Sequence, residues 1–257
     1  MIKNVDLSVV TCVRDKKQFK ESARAVLNQV VDFSYEYVVV DWGSKRQDVL
    51  SELKRLLSDI RNRWLVSVRY LRVDSSEFNR GRALNVGIKW ALGKWILTFD
   101  CDLLVGDSYL SKLFSQVSYG TGRLCLWCLG VEQVSKKERP FCGSGIMLVF
   151  TEAVYRVTGY DERFKGYGEE DIDFKHRLER LGLVTKKVSS PKWIHMTHSD
   201  KERGQAQFCS RIFCSRINKV VNPNRARRLR NDELGIVEVN GNGWGEIGEG
   251  VKHVELK

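Results

Sequence analysis

The chain has 257 residues, of which 42% are hydrophobic, 29% charged and three are proline. That balance suits a folded domain with a real core and excludes a disordered or Pro-rich linker protein. Its 43 Lys and Arg against 32 Asp and Glu leave +11, a charge that fits nucleic acid, an anionic membrane surface or a polyphosphate ligand. The excess is uneven, with nine basic residues and one acid in 201–230, then two basic residues and six acids in 231–257. No run is long and apolar enough to span a bilayer. The apolar stretch Leu7 to Val13 is bracketed by Asp6 and Arg14, unlike a signal peptide. Seven scattered cysteines argue against a disulfide framework and for a reducing, cytoplasmic setting.

In chain order, Asp6 to Val13 reads as a buried strand and Lys17 to Val30 as a helix with Phe19, Ala23, Val26 and Leu27 on one stripe. Tyr35 to Val40 is a second strand, ended by Asp41-Trp42-Gly43-Ser44. Val49 to Ile60 is a helix, Val66 to Val73 a strand, Ala83 to Leu92 a helix and Trp95 to Phe99 a strand. Strands alternating with helices predict a mainly parallel sheet covered on both faces. Ligands bind such sheets beyond the carboxyl ends of the strands, where Asp41 and Asp100 stand. Further on, helices are expected over Asp107 to Val117, Glu152 to Thr158 and Glu170 to Leu181, and strands over Leu124 to Val131 and Gly145 to Phe150. A basic, helical stretch follows Asp200, and residues 239–250 read as irregular.

Three clusters carry chemistry. Asp100 and Asp102 follow a strand two residues apart, so extended backbone would turn both to one side, where they repel unless a cation sits between them. A solvated acidic turn is the plainer reading of such a pair in isolation. Gly166-Tyr167-Gly168-Glu169-Glu170-Asp171-Ile172-Asp173 puts four acids in five residues behind an aromatic flanked by glycines. A helix dipole accounts for one or two of those acids; a carboxylate there also suits a general base. His195 and His198, beside Trp193 and Met196, suggest a pocket or a metal ligand, and imidazole with carboxylates suits Mn²⁺ better than Mg²⁺. Cys125-Leu126-Trp127-Cys128 reads as a buried strand carrying two cysteines rather than a zinc or redox site.

Taken in order, these motifs resemble the metal-dependent glycosyltransferases of the GT-A fold. The first half is similar to the family-2 group through Val39 to Ser44, Asn79 to Gly87 and Phe99 to Asp102. The second half is similar to the C-terminal region of β-1,4-galactosyltransferases and chondroitin-type polymerases through Phe141 to Gly145, Gly159-Tyr160, Gly166 to Asp173 and His195 to Ser199. The resemblance implies one α/β domain, a Rossmann-like, mainly parallel sheet over residues 1–200. A nucleotide-binding half covers about 1–105 and an acceptor half about 106–200, and a basic extension, 201–257, packs on or follows the domain.

It also implies roles. Asp100 and Asp102 match the DxD motif, and Asp102, Asp100, His195 and His198 become the metal set for Mn²⁺ or Mg²⁺. Thr11, Arg14, Asp41, Phe78, Asn79, Arg80, Asp100 and Cys101 become donor-binding. Asp171 matches the general base of inverting members, with Glu170, Tyr167 and Gly168 holding the acceptor. Two departures stand out: Glu169 replaces a common glycine, and His195 stands where galactosyltransferases carry a methionine.

The implied partners are a UDP-sugar donor and a glycan, glycolipid or protein acceptor. An inactive sugar- or nucleotide-binding relative is disfavoured by the presence of Asp100, Asp102, Asp171 and His198. A nucleic-acid-binding protein fits the charge, but no binding motif is present and none is expected to act. A nucleotidyltransferase would want a Gly-rich loop where Thr11-Cys12-Val13-Arg14 stands. In the basic block, Lys201 and Arg203 are placed to cover a diphosphate. Arg225, Arg227, Arg228 and Arg230 are expected to form a surface patch that holds the protein near an anionic membrane, the inner face in a cytoplasmic protein, or near an acidic polymer acceptor.

Overall fold

The computed structural model describes residues 4–59, 66–117, 124–128, 131–132, 145–166, 168–196, 223–247 and 251–256. Strands β1 (Val5–Val13) and β2 (Tyr35–Trp42) are buried almost throughout. Their near-continuous apolar runs are what a strand covered on both faces requires. β3 (Val66–Val73) and β4 (Gly93–Thr98) flank them. β1 pairs in parallel with both β2 and β4, and β2 in parallel with β3. Main-sheet order is completed by β6 (Leu124–Cys128), β8 (Met147–Phe150), β9 (Val184–Val188) and β11 (Val251–Leu256), giving β11-β3-β2-β1-β4-β8-β6-β9. Because β1 lies between β2 and β4, chain direction around the sheet reverses there. A crevice opens at the carboxyl ends of β1 and β4.

On one face, helices α1 (Phe19–Leu27) and α2 (Val49–Ser58) bury Phe19, Val26, Leu53 and Leu56 against Leu7, Val9, Tyr37 and Val39. α4 (Tyr109–Phe114) joins that layer. On the other face, α3 (Arg80–Trp90) buries Ala83, Leu84 and Val86 against Val10, Val38 and Val40. Gly87 makes that contact close, since a β-carbon there would meet Val10 Cγ1 at 2.5 Å. α5 (Thr151–Arg156) and α6 (Glu170–Arg180) complete that layer, with Tyr160 stacked on Phe174 at 4.2 Å. A small second sheet joins β5 (Leu103–Val105), β10 (Trp193–His195) and β7 (Val131–Glu132).

Two features differ from the expectation. The stretch 251–256 is a strand that covers the free edge of β3 in antiparallel register. An uncovered edge invites pairing with other chains, so β11 also protects the sheet. The turn before it buries Trp244 against Tyr155, with Lys89 Nζ 4.4 Å above the indole. Secondly, the expected basic helix is present as α7 (Pro223–Glu233), but it packs on α6 and is not wholly a surface patch. Arg225 and Arg230 are exposed, but Arg228 turns inward to Glu169 and Asp232, which neutralise it. Lys201 and Arg203 lie outside the described residues. Among the described residues, no helix is long and apolar enough to cross a membrane.

Candidate active site

Arg80 organises one half of the site. Asn79 caps α3, accepting from the Arg82 N–H at 2.9 Å, and this starts the helix at Arg80. The Arg80 guanidinium donates through Nε and Nη2 to Asp100 Oδ1, at 3.0 and 2.7 Å. Nη1 reaches Glu170 Oε1 at 3.3 Å and Nη2 the Gly145 carbonyl at 3.2 Å. One side chain therefore ties the end of β4 to the start of α6. Gly145 leaves room for it: a β-carbon there would fall 2.0 Å from Asp100 Oδ2. Burial would lower the Arg80 pKa, but Asp100 and Glu170 more than offset that and keep it charged.

Glu170 is 8% exposed. Burial, reinforced by neighbouring Asp171 and opposed by Arg80, pushes its carboxyl up to about 7. Asp171, the next residue, is half-buried in the first turn of α6 and accepts the Ile172 N–H at 2.9 Å. Gly168 precedes them at φ 89°, and Tyr167 lies outside the described residues.

The other half gathers around Asp102. Residues 101–102 form a turn beyond β4, so the two acids do not share one side of a strand as expected. Asp100 goes to Arg80, whereas Asp102 Oδ2 lies 3.7 Å from His195 Nε2 and 3.9 Å from Lys16 Nζ. The small sheet makes this meeting: β10 sets His195 opposite Leu103, and the Met196 N–H bonds the Asp102 carbonyl at 2.9 Å. Among the described residues no three His, Cys, Asp or Glu side chains converge as a metal-holding group. His198 lies outside them. An imidazole beside a carboxylate is a donor pair that fits a borderline divalent ion.

Lys16 also lines a cleft of about 500 Å³ between the loops after β1 and β2. Arg14, Lys17, Lys20, Arg46 and Arg55 share that lining, against Asp15, Asp48 and Glu52. Arg14 Nη2 donates to the Ser76 carbonyl at 2.9 Å, bridging to the loop before α3.

Four of the residues expected to bind the donor are buried or make contacts within the fold. Thr11 is fully buried inside β1, and Cys101 packs in the core beside Phe99 and Leu103. Burial drives the Cys101 thiol well above its ordinary pKa. Asp41 is buried and satisfied, accepting from the Ser44 N–H at 2.9 Å, Tyr70 Oη at 2.8 Å and Arg72 Nη1 at 2.7 Å. Asn79 uses its oxygen as the cap and its amide on the Glu162 carbonyl at 2.8 Å. Phe78 is partly buried against the core layer of α3. Sequence reasoning missed Lys16, and missed that Arg80 is a bridge. A lysine two residues beyond Arg14 was the available signal for the first.

A family model described as glycosyl transferase family 2 matches residues 8–157, and one described as N-terminal domain of galactosyltransferase matches residues 133–199. Chondroitin sulfate N-acetylgalactosaminyltransferase 2 of Mus musculus is 28% identical over 178 residues, 58% of this chain and 32% of that protein. Hyaluronan synthase of Pasteurella multocida is 22% identical over 254 residues, 77% of this chain and 25% of that protein. The chain spans 25% to 38% of the length of these curated relatives and two others. The crystal structure of S. aureus TarS 1-349 in complex with UDP-GlcNAc superimposes with TM-score 0.63 at 17% identity, over 81% of this chain and 63% of that one. The catalytic domain of Drosophila beta1,4galactosyltransferase 7 in complex with xylobiose gives 0.55 at 17%, over 88% and 79%. Likenesses at such identities speak to the fold.

Proposed function

The chain belongs to glycosyltransferase family 2 and has the GT-A fold, and from that premise we propose that it transfers a sugar from a UDP-sugar to a glycan hydroxyl, with a divalent cation and with inversion. The observation that carries the reading is the Arg80 bridge, which holds Asp100 beyond β4 and Glu170 beside Asp171 on one guanidinium. Donor-side and acceptor-side carboxylates thereby border one site.

The basic cleft reaching Lys16 suits the donor diphosphate. Asp102 and His195 would hold Mn²⁺ or Mg²⁺, which when bound neutralises charge developing on the leaving diphosphate. Asp171 takes the proton from the acceptor hydroxyl as that oxygen bonds the anomeric carbon and the diphosphate departs from the opposite face. One displacement on opposite faces inverts the anomeric centre. Glu170, poised near neutrality, orients the acceptor: protonated it donates a hydrogen bond, ionised it accepts one.

The matched relatives named for N-acetylgalactosamine transfer and hyaluronan synthesis, and the neighbour bound to UDP-GlcNAc, put UDP-N-acetylhexosamines first in the donor screen and glycan chains first among acceptors. The test is UDP release over a panel of UDP-sugars with Mn²⁺, Mg²⁺ or chelator. Wild type should turn over one donor with the cation only. Asp102→Ala should lose turnover and cation-dependent UDP binding, whereas Asp171→Asn should keep binding and lose turnover by about 10² to 10⁴. Full activity in chelator, or in Asp102→Ala, would remove the cation from the mechanism. NMR showing the donor's anomeric configuration kept in the product would remove inversion.

A further inference from the structure

The segment carrying Glu170 and Asp171 is gripped by a helix that lies C-terminal to both matched stretches. Asn224, at the start of α7, donates through Nδ2 to the carbonyls of Lys165 at 2.9 Å and Gly168 at 3.1 Å, and accepts the Lys165 N–H at 3.3 Å. Arg228 Nε donates to Glu169 Oε2 at 2.5 Å. Asn231 Nδ2 donates to Asp173 Oδ1 at 2.7 Å and Asp161 Oδ2 at 3.3 Å. Positions 224, 228 and 231 recur at helical spacing, so one face of α7 makes all of these bonds. They reach the loop before, at and after the two carboxylates.

Glu169 is the unusual residue in this grip. It sits at φ 78°, ψ −18°, a left-handed conformation that residues with a β-carbon rarely adopt. It stands at the N-cap of α6 yet makes no side-chain cap bond. Its carboxylate turns to Arg228 instead. Arg228 is fixed in turn by Asp232 at 2.7 Å, and Asp232 also takes bonds from His176 and Arg180. The ion pair offsets a backbone conformation that the glutamate would otherwise leave, and that conformation sets the direction in which α6 begins.

We propose that Arg228 is a positioning residue for transfer: through Glu169 it holds the turn from which Glu170 and Asp171 project into the acceptor site. This rests on the reading of those two carboxylates given above. Lys16 and His195 pair with Asp102, and Arg80 with Asp100; these donor-side pairs stand apart from the α7 bonds described above, so the expected effect is on turnover rather than on donor affinity.

The experiment compares wild type, Arg228→Gln and the double variant Arg228→Gln/Glu169→Gly by amide hydrogen exchange of residues 168–174 without substrates, and by steady-state transfer. Glycine adopts positive φ freely and leaves no unpaired carboxylate, so it removes the need for the clamp. In Arg228→Gln, exchange in that segment should rise about tenfold, and kcat should fall about tenfold or more with donor KM within about twofold. The double variant should recover most of both. A purely stabilising Arg228 would predict lower thermal stability with no recovery on adding Glu169→Gly. Unchanged exchange in Arg228→Gln, or a double variant as impaired as the single one, overturns the proposal. If exchange responds as stated while wild type transfers no sugar from any donor, the positioning holds and the transferase reading fails.

Discussion

Replacing Glu170 with glutamine keeps the side chain's shape and removes its titration. Folding holds this carboxyl's pKa at about 7, raised from 4.5 by burial, then by Asp171, against the pull of Arg80. Asp100, held on the same guanidinium, adds a smaller rise by direct charge repulsion. Cys12 and Tyr160, the other titratable neighbours, have raised pKa values and stay neutral across this range. Between the two pKa values the folded chain binds the Glu170 proton and the unfolded chain has released it. This contribution is therefore full below the unfolded pKa and is lost as pH rises through the folded one. Passing from about pH 5 to about pH 8 should cost the wild type about 2 kcal/mol through this group. Glu170→Gln carries no such dependence, so its stability relative to wild type should rise by that amount over the same interval. Urea unfolding of both proteins at several pH values, in chelator so that no cation offsets the charge, measures the gap. A gap that stays flat, or narrows as pH rises, would refute the assignment of a proton held by burial at Glu170.

Asn85→Ala should lower stability by about 2–3 kcal/mol, because its buried amide makes three bonds to the Tyr160 carbonyl, the Glu162 carboxylate and the Tyr160 N–H; the urea midpoint at constant slope reports it. Gly145→Ala should weaken cation-dependent UDP binding about tenfold or more, since its β-carbon would displace the Asp100–Arg80 pair. Calorimetric titration with UDP and Mn²⁺ checks that, and wild-type affinity would show that the pair is not part of donor binding. Removing residues 251–257 should uncover the edge of β3 and drive association, visible as added mass in light scattering after size exclusion.

Several of these features were legible in the sequence because they depend on near neighbours. The apolar runs of β1 and β2 announced strands covered on both faces, and the Val49, Leu53, Leu56, Leu57 stripe announced α2. Asp41 was singled out because an acid after a strand is a sound general pointer to a ligand. Only the parallel register, which sets Asp41 beside Arg72 with Tyr70 in reach, shows that its charge is already met. Asn79, expected among the donor-binding residues, also sends its amide to the Glu162 carbonyl, 83 residues on, a contact that no local pattern encodes. β11 was hidden by its composition: Lys252, His253 and Glu255 break the apolar pattern of an edge strand with one solvated side. The inward turn of Arg228 needs Glu169, 59 residues earlier, and no local pattern encodes that.

The local charge bears on the proposed cation. Asp100, Asp102, Glu170 and Asp171 border the candidate site, and among the described residues Arg80 pairs with Asp100 and Glu170 and Lys16 with Asp102. Under the proposed function, the six cations of the cleft draw in the donor diphosphate, and the Asp102 carboxylate stands at the end of that path. Lys16 lies at the junction, shared between the cleft and Asp102. A divalent ion held by Asp102 and His195, as proposed, would bring positive charge to where the diphosphate is to sit and would leave the Arg80 guanidinium on Asp100 and Glu170. Under that proposal the basic cleft and the acidic centre are two halves of one requirement: the first would concentrate the donor, and the second would accept it once a cation is bound.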